Sequence, residues 1–322
     1  MESVLAQDYQ NLLEVIFADG ASNDGTRLVL DDYVRRYPHI VILDNPQRVQ
    51  TIGLNMGIRA AHGDVIVRLD AHAVYAPDFV RQCVAALEKT GAGCVGGGVN
   101  LAQEQGYLPT LFGLVQEHPF GTGVARFRRA YYEGFVDTVW PGAYRREVFE
   151  KVGLFREALA RTEDLDLHSR MRKRDYRIWQ TPLIKAYYYS RSSFKSLAEQ
   201  YFGNGEQVVE TLLVNTSAIA LRHLAPFLWV TSVTALSILV GLFPFARPAL
   251  LLYTGLYISI CVLSALMIGV KSGLRYVWVA PWIFPWIHVS YGLGSWWGVI
   301  RAILLISRRK LPAYRVIPTL ES

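Results

Sequence analysis

The chain has 322 residues, of which 52% are hydrophobic and 19% are charged, and its formal net charge is +6. This length suits one domain with an appendage, and the mild positive charge does not indicate a nucleic-acid partner. The cysteines Cys83, Cys94 and Cys261 have neither metal-ligand nor redox spacing, which is typical of a reducing compartment. No basic start followed by an apolar run opens the chain, so we expect the first domain to stay on the side of the membrane where it is made.

The first 215 residues alternate between strand and helix patterns. Predicted strands are LEVIFA (13–18), HIVILD (39–44) and DVIVRLD (64–70), and helical spacing covers 26–37, 49–62 and 77–90. This alternation predicts an α/β domain with a mostly parallel sheet covered by helices. Ligands of such sheets bind beyond the carboxyl ends of the strands, where Asp19 and Asp70 fall.

The first candidate motif is ADGASNDGT (18–26), which places Asp19 at a strand end followed by small residues. A carboxylate there can accept hydrogen bonds from a base or a ribose, and small neighbours allow a ligand to approach. The alternative is a plain turn in which Asn23 or Asp24 caps the next helix.

The second motif is Asp70-Ala71-His72, directly after the apolar run Val65–Val67. A metal that bridges two phosphates requires hard oxygen ligands, which Asp70 supplies. An imidazole suits manganese better than magnesium. The alternative is a turn with an exposed histidine and no ligand.

The third motif, RTEDLDLHSRMRKRDYRIW (161–179), begins a predicted helix with Glu163, Asp164 and Asp166. Three acids within four residues repel one another, which can raise the pKa of a carboxylate toward that of a general base. Acids also favour the first turn of any helix, so capping from Thr162 is the competing explanation.

The order of these motifs resembles that of the GT-A fold family 2 glycosyltransferases, in the subgroup of succinoglycan biosynthesis glucosyltransferases. The resemblance covers nearly the whole chain and is carried by DNPQRVQTIGLNMGIRAAHGDVIVRLDAHAVYAPDFV, HPFGTGVARFR, VDTVWPGAYRREVFEKVGLF and EQYFGNG. It implies a GT-A catalytic domain, a nucleotide-diphosphate-sugar donor such as a UDP-hexose, and a divalent metal, Mn²⁺ or Mg²⁺.

The resemblance also implies roles for the motif residues. Asp19 matches the acid that contacts the uracil or its ribose, and Asp70 matches the first acid of the family's Asp-x-Asp motif. His72 stands where the second acid usually stands, near the metal. Asp164 matches the catalytic base, with Glu163 beside it, so the resemblance favours a metal and diphosphate site over a plain turn. An inverting single displacement follows from these roles.

Further residues are assigned by the same resemblance. Gly142 in WPGAY matches the loop that lines the donor and acceptor sites, and Trp140 is placed to stack on a sugar. The stretch SFKSLAEQYFGNG (193–205) takes the place of the Gln-x-x-Arg-Trp motif of processive synthases, with Gln200 and Tyr201 but no Arg-Trp. This favours addition of a single sugar, although the stretch also has the pattern of an amphipathic interfacial helix.

The beginning of the chain departs from the family pattern. MESVLAQDYQNLLEVIF resembles the helix that follows the family's first strand, so that strand is expected to be missing. Its loss would leave two sheet edges open to pairing. A misplaced start and a truncated enzyme are both consistent with this pattern.

The last third of the chain is apolar enough to enter a bilayer. The runs 224–243 and 249–270 each have the length of a span, and a third run, 276–306, is interrupted by Pro281 and Pro285. Basic residues at 222, 271, 275 and 308–310 place the enzyme domain and the 271–275 loop in the cytoplasm. A third full span would export the basic tail against this rule, so the last segment is expected to be irregular.

The predicted organisation is a GT-A domain over 1–191, an interfacial segment over 192–222, a membrane domain over 223–306 and a basic tail over 307–322. The hypothesis is a multi-pass enzyme of the bacterial inner membrane that moves one sugar, such as glucose from UDP-glucose, to a lipid-linked oligosaccharide in exopolysaccharide biosynthesis. A processive synthase and a non-catalytic scaffold derived from a truncated transferase are the alternatives.

Overall fold

The structure is a computed structural model that describes residues 1–71, 73–102, 106–123, 129–309 and 311–321. His72, the predicted second residue of the metal motif, therefore lies outside the described residues. The chain forms two compact units. The α/β unit contains Met1–Asn100, Arg129–Tyr188 and Arg309–Ser322, and the helical unit contains Leu101–Arg128 and Tyr189–Arg308.

Ten short strands are described. They are β1 Val15–Asp19, β2 Ile40–Asp44, β3 Val65–Val67, β4 Ala73–Tyr75, β5 Cys94–Gly96, β6 Val99–Leu101, β7 Gly134–Val136, β8 Gly142–Arg145, β9 Ile178–Gln180 and β10 Ala186–Tyr188.

The strands form three sheets in the order β1-β2, β4-β10-β6 and β3-β8-β5-β9-β7. The predicted mostly parallel sheet is wrong in this detail, because β8 pairs antiparallel with both β3 and β5. Parallel pairs are β1-β2 and β5-β9. The strand-helix alternation on which the prediction rested does not continue to this part of the chain, because β5 and β6, and later β7 and β8, follow each other with no helix between them. The alternation therefore did not determine the direction of β8.

The helices of the α/β unit are α1 Glu2–Leu5, α2 Thr26–Arg36, α3 Gln50–Ala60, α4 Phe79–Thr90, α7 Arg146–Val152, α8 Glu163–Arg172 and α13 Leu311–Tyr314. Helices α2, α3 and α4 lie close to the predicted ranges, and α8 begins at Glu163 as predicted. The helices of the helical unit are α5 Tyr107–Glu117, α6 Pro119–Thr122, α9 Phe194–Val214, α10 Ala225–Leu242, α11 Arg247–Ser272 and α12 Ala280–Ser307.

The core of the α/β unit lies on both faces of the five-stranded sheet. On one face α7 and α8 pack through Phe149, Leu167 and Met171, and on the other α4 packs through Phe79 and Leu87. All five side chains are buried. Because the apolar positions of α8 face the sheet, the acidic first turn of this helix is fixed relative to the strand ends.

The helical unit has a separate core in which α5, α9, α11 and α12 meet. Helix α9 begins at the predicted position, since Ser193 is its N-cap and forms a capping box with Ser196. The predicted apolar face includes Leu197, Tyr201 and Val208, which are buried. Three helices are long and apolar enough to cross a membrane: α10, α11 with the preceding turn, and α12.

Candidate active site

The site begins where β3 ends. After Val67 the backbone N–H of Arg68 still donates to the carbonyl of Gly142 at 3.0 Å, so the strand pairing extends by one bond. The next turn is held by Tyr75, whose hydroxyl lies 2.6 Å from the backbone nitrogen of Asp70 and 3.1 Å from its carbonyl oxygen. This turn fixes the carboxylate of Asp70 beside the guanidinium of Arg68.

Arg68 joins three carboxylates. Its Nε donates to Asp70 Oδ1 at 3.0 Å, and its terminal nitrogen lies 3.1 Å from Glu163 Oε1 and 2.7 Å from Asp164 Oδ1. The side chains of Arg68, Asp70 and Glu163 are only 5–6% exposed, whereas that of Asp164 is 20% exposed. Asp164 is therefore the acid of this group that a second molecule can reach most easily. We call these four residues the Arg68 cluster.

A buried histidine fixes α8, which carries two of these acids. His168 Nδ1 lies 2.8 Å from Thr138 Oγ1, and His168 Nε2 lies 3.0 Å from the hydroxyl of Tyr144 on β8. Burial lowers the pKa of His168 to about 3, so the ring is neutral at physiological pH. A neutral ring can both donate and accept, and it ties the helix to the sheet without adding charge to the site.

The charged groups of the Arg68 cluster shift one another's pKa values. Burial disfavours the charged guanidinium of Arg68, but the carboxylates of Asp164, Asp70 and Glu163 outweigh it and raise the pKa of Arg68. Burial is also the largest influence on Asp164, and together with Glu163 and Asp70 it raises the pKa of Asp164 to about 7 against the opposing effect of Arg68. A carboxyl group with a pKa near 7 is suited to general base catalysis.

Trp140 also contacts the cluster. Its indole Nε1 donates to Asp70 Oδ2 at 2.6 Å, and its ring meets Tyr188 edge-on with the ring centroids 5.7 Å apart. The predicted stacking of Trp140 on a sugar remains a prediction. In the structure the indole N–H of Trp140 is hydrogen-bonded to Asp70, which the sequence analysis did not predict. Gly142 is the first residue of β8, where a Cβ atom would lie 2.6 Å from the hydroxyl of Tyr144.

Asp19 lies at the end of β1, as predicted, and its hydrogen bonds are local. Its carboxylate accepts from the hydroxyl and the backbone N–H of Ser22 at 2.6 and 3.3 Å, and Arg27 approaches it at 3.9 Å. The residue is 7% exposed. Asp24 accepts from the backbone N–H of Thr26 at 3.1 Å, but the N-cap of α2 is Gly25 and has no side-chain cap. The alternative that Asn23 or Asp24 caps this helix is therefore wrong.

Gln200 and Tyr201, the predicted acceptor residues, lie on α9 in the helical unit. Tyr201 is 6% exposed and belongs to the core of that unit. The side chain of Gln200 is half-buried. Their predicted contact with an acceptor stays a prediction.

The carboxylates of Asp70 and Glu163 have acceptor positions left for a cation. A carboxylate offers about four lone-pair positions, and Asp70 uses three of them for Arg68 at 3.0 and 3.4 Å and for Trp140. Glu163 Oε2 is buried and has no hydrogen-bond partner among the described residues. No group of three or more metal-ligating side chains occurs within the described ranges, which omit His72. Hard carboxylate oxygens with spare acceptor capacity fit a divalent cation that takes its other ligands from phosphate and water.

Arg68 was missed in the sequence analysis. The signal was a charged residue inside the apolar strand VIVRLD, two positions before a candidate site acid. A charged side chain in a buried strand needs a partner of opposite charge. Three acids were already candidates, so this rule would have paired Arg68 with them.

Comparison with known proteins bears on the family and the fold of the chain. Residues 1–153 match the family described as Glycosyl transferase family 2, so the chain carries a family 2 glycosyltransferase domain. This confirms the predicted family and its GT-A fold class.

Two curated relatives are similar to the chain. It is 31% identical over 216 residues to the succinoglycan biosynthesis protein ExoA of Rhizobium meliloti (strain 1021), an alignment that covers 66% of this chain and 64% of that protein. It is 26% identical over 236 residues to a dolichyl N-acetyl-alpha-D-glucosaminyl phosphate 3-beta-D-2,3-diacetamido-2,3-dideoxy-beta-D-glucuronosyltransferase of Methanococcus voltae, covering 70% of this chain and 72% of that one.

Solved structures resemble the chain at lower identity. The complex of S. aureus TarS 1-349 with UDP-GlcNAc aligns with a TM-score of 0.42 at 15% identity, covering 66% of this chain and 61% of that one. GalNAc-T7 with UDP, GalNAc and Mn²⁺ aligns with a TM-score of 0.44 at 17% identity, covering 59% of this chain and 40% of that one.

Proposed function

We propose that this protein is a membrane-bound inverting glycosyltransferase that moves one sugar from a nucleotide-diphosphate donor to a lipid-linked saccharide. The observation that carries the proposal is the Arg68 cluster, in which the predicted donor acid Asp70 and the predicted base Asp164 bind opposite parts of one buried guanidinium. The two acids are 94 residues apart in the sequence, and both bind Arg68 within the α/β unit.

On the donor side, Asp70 is the residue that would hold a divalent cation, together with His72 by sequence. Such a cation supplies positive charge that stabilises the departing diphosphate. Trp140 Nε1 and Arg68 Nε orient the carboxylate of Asp70 from two directions. The orientation is fixed before the donor binds, so little ordering is needed at the moment of binding.

On the acceptor side, Asp164 takes the proton from the acceptor hydroxyl while that oxygen attacks the anomeric carbon. The bond between the anomeric carbon and the diphosphate breaks in the same displacement, so the configuration at that carbon inverts. With a pKa of about 7, Asp164 is deprotonated in an appreciable fraction of molecules at neutral pH. Arg68 holds one carboxylate oxygen, Oδ1, and thereby directs the other toward the acceptor.

The nature of the acceptor rests on two observations. In the part of the chain that the structure describes, three helices are long and apolar enough to cross a membrane. The relative from Methanococcus voltae is named for a dolichyl-linked sugar phosphate, which is a lipid-linked acceptor. A single addition is favoured over a processive reaction because the Gln-x-x-Arg-Trp sequence is not present in 193–205. The exopolysaccharide pathway and the donor UDP-glucose follow from similarity to ExoA alone.

The direct test is incorporation of labelled sugar into lipid. The purified full chain in detergent is incubated with a membrane lipid extract and a panel of labelled nucleotide sugars, with Mn²⁺ or with a chelator. We expect one donor to label the lipid fraction by a single sugar, in a cation-dependent manner and with inverted anomeric configuration. A ladder of products would support the processive alternative. Labelling that continues in the Asp70→Asn and Asp164→Asn variants would overturn the assignment of the site.

A further inference from the structure

The C-terminal segment, residues 311–321, is part of the α/β unit. The backbone N–H of Leu154 donates to the carbonyl of Pro318 at 2.9 Å, and Arg156 donates to the carbonyl of Tyr314 at 3.1 Å. Leu320 packs against the core between the sheet and α8. A segment held in this way lies on the same side of a membrane as the unit that it completes.

This attachment restricts how often the chain can cross a bilayer. The chain leaves the α/β unit after Tyr188 and rejoins it at Arg309. Both ends of the intervening segment are on one side of the membrane, so the number of complete crossings between them is even. Three candidate spans lie in that segment. One of the three therefore does not cross.

The packing of α12 against α9 indicates that α12 is the helix that does not cross the membrane. Trp286 donates its indole N–H to the carbonyl of Phe194, at the start of α9, over 2.9 Å. Farther along both helices, a Cβ atom on Gly205 would overlap the carbonyl oxygen of Tyr291. Farther on, Arg301 forms ion pairs with Glu206 and, at 3.3 Å, with Glu210. The two helices can lie this close because neither has a side chain at three contact positions, Gly205, Gly294 and Gly298.

Residue numbers rise together along these contacts, so α9 and α12 run parallel and touch over most of α9. A transmembrane α12 would therefore draw α9 through the hydrocarbon with it. Lys195 and Glu199 on α9 are exposed, and α9 is not among the helices apolar enough to span. A charged residue at the centre of a membrane helix costs about 2.5–3.5 kcal/mol on insertion scales. The length of α12 that packs on α9 is thus unsuited to the bilayer interior.

Helices α10 and α11 have the opposite character. Helix α12 contacts the first two turns of α10, where Trp296 of α12 donates to the hydroxyl of Thr231 of α10 at 3.1 Å. It contacts α11 near the middle, where Tyr257 and His288 are hydrogen-bonded at 2.7 Å. Beyond these points the two helices pair with each other through Ser232 and Tyr253 and expose apolar side chains. These exposed side chains are Ile238, Leu239, Leu242, Leu251, Leu252 and Leu256.

We propose that α10 and α11 are the two membrane spans, and that α12 stays with α9 at the bilayer surface from which the C-terminal segment continues. The partner of α12 is then the lipid headgroup region, in which amphipathic rings of tryptophan are favoured. Trp278, Trp282 and Trp297 are 80%, 72% and 46% exposed. The arrangement also keeps the basic residues near 271–275 and 308–310 on one side, which the positive-inside rule requires. It does not depend on the reaction that the protein catalyses.

Sidedness can be measured with single cysteines in the full chain, expressed in cells and labelled with a membrane-impermeant maleimide before and after permeabilisation. The native cysteines are buried, so the parent chain gives the background. Exposed positions are chosen: Arg35→Cys in the α/β unit, Phe245→Cys between α10 and α11, Leu274→Cys before α12 and Glu321→Cys in the C-terminal segment. We expect Phe245→Cys alone to label on the outer side. Outer labelling of Glu321→Cys, or inner labelling of Phe245→Cys, would overturn the proposal.

The depth of α10 and α12 in the bilayer is a second measurement, and it distinguishes a surface α12 from a re-entrant one. Spin labels at Ala235→Cys and Leu293→Cys mark exposed positions near the midpoints of α10 and α12. We expect the Ala235 label to be accessible to oxygen and protected from a polar nickel reagent. The Leu293 label should be accessible to the nickel reagent, as headgroup positions are. Equal depths for the two labels would mean that α12 enters the bilayer as α10 does.

Discussion

Helix α8 carries two buried clusters of charge that use the same residue types in different ways. In the first, Asp166 accepts from Arg170 at 2.9 Å and is approached by Arg156 at 3.5 Å. Arg170 also donates to the carbonyls of Val152 and Leu154, each at 2.7 Å. In the second, Arg68 meets Asp70, Glu163 and Asp164.

The difference lies in charge balance and access. The Asp166 cluster has two cations for one anion, and the excess donors bind backbone carbonyls. The Arg68 cluster has three acids for one cation, a buried carboxylate oxygen of Glu163 without a partner among the described residues, and a partly exposed Asp164. A cluster whose extra donors bind backbone carbonyls stabilises the fold, whereas an acidic and open cluster can still take up a proton or a cation. Burial of charge alone does not identify a site.

The largest expected effect separates the two clusters by activity. Asp164→Asn removes the proposed base with little change in shape, and we expect kcat to fall by about 10²–10⁴-fold, the usual contribution of general base catalysis. The measurement is the rate of sugar transfer into the lipid fraction. Asp166→Asn, two residues along the same helix, is the matched control and should keep the turnover of the folded protein. Wild-type turnover in Asp164→Asn would show that another group accepts the proton.

The second prediction reverses the comparison and concerns stability. Asp166→Asn leaves Arg170 buried without its negative partner, and loss of one member of a buried ion pair costs on the order of 3–5 kcal/mol. Thermal unfolding in detergent should therefore begin at a clearly lower temperature than in the wild type. Asp164→Asn should not show this loss, because Arg68 keeps Asp70 and Glu163 as partners. Equal destabilisation by both variants would remove the distinction between the clusters.

The third prediction concerns the donor side. Trp140→Phe keeps an aromatic ring but removes the N–H that donates to Asp70. Hydrogen bonds to charged groups contribute about 1.5–3 kcal/mol, so affinity for the nucleoside diphosphate should fall by about 10–100-fold. Calorimetric titration of UDP measures this change. Trp179→Phe, whose ring packs against Phe135 in the same unit, is the control and should bind as the wild type does.

The fourth prediction is a pH profile. The pKa of Asp164 is raised to about 7, so the base is protonated and inactive below this pH. The transfer rate should rise about tenfold per pH unit below 7 and level off above it. For stability the sign is opposite: the folded-state pKa exceeds the unfolded value of 3.8, so the contribution of Asp164 to stability is lost as the pH rises toward 7 and beyond. A transfer rate independent of pH between 5 and 8 would contradict the assignment of Asp164 as the base.

Much of the site could be predicted from local pattern. Asp70 follows an apolar strand, and Glu163 and Asp164 begin a helix, so both positions were recognisable as functional candidates in the sequence. Family resemblance then ordered them into one site. Arg68 was not a candidate because it lies inside the predicted strand DVIVRLD. The rule that a buried charge needs a partner is the information that would have recovered it.

The features that were not predicted depend on contacts between distant parts of the chain. The antiparallel position of β8 is decided by its pairing with β3 and β5, which no local periodicity records. The attachment of the C-terminal segment rests on backbone carbonyls such as that of Pro318, which carry no sequence signal. The length and hydropathy of α12 predict a membrane span, whereas its close contacts with α9 and the attachment of the C-terminal segment argue against one.

The most direct test of the central claim, that the Arg68 cluster is the donor site of a transferase, is calorimetric titration of UDP into the detergent-solubilised full chain. It is performed with Mn²⁺ and with chelator, on the wild type, Asp70→Asn and Asp166→Asn. The account predicts cation-dependent binding by the wild type and by Asp166→Asn, and loss of that binding in Asp70→Asn. Binding by Asp70→Asn as tight as that of the wild type would contradict it.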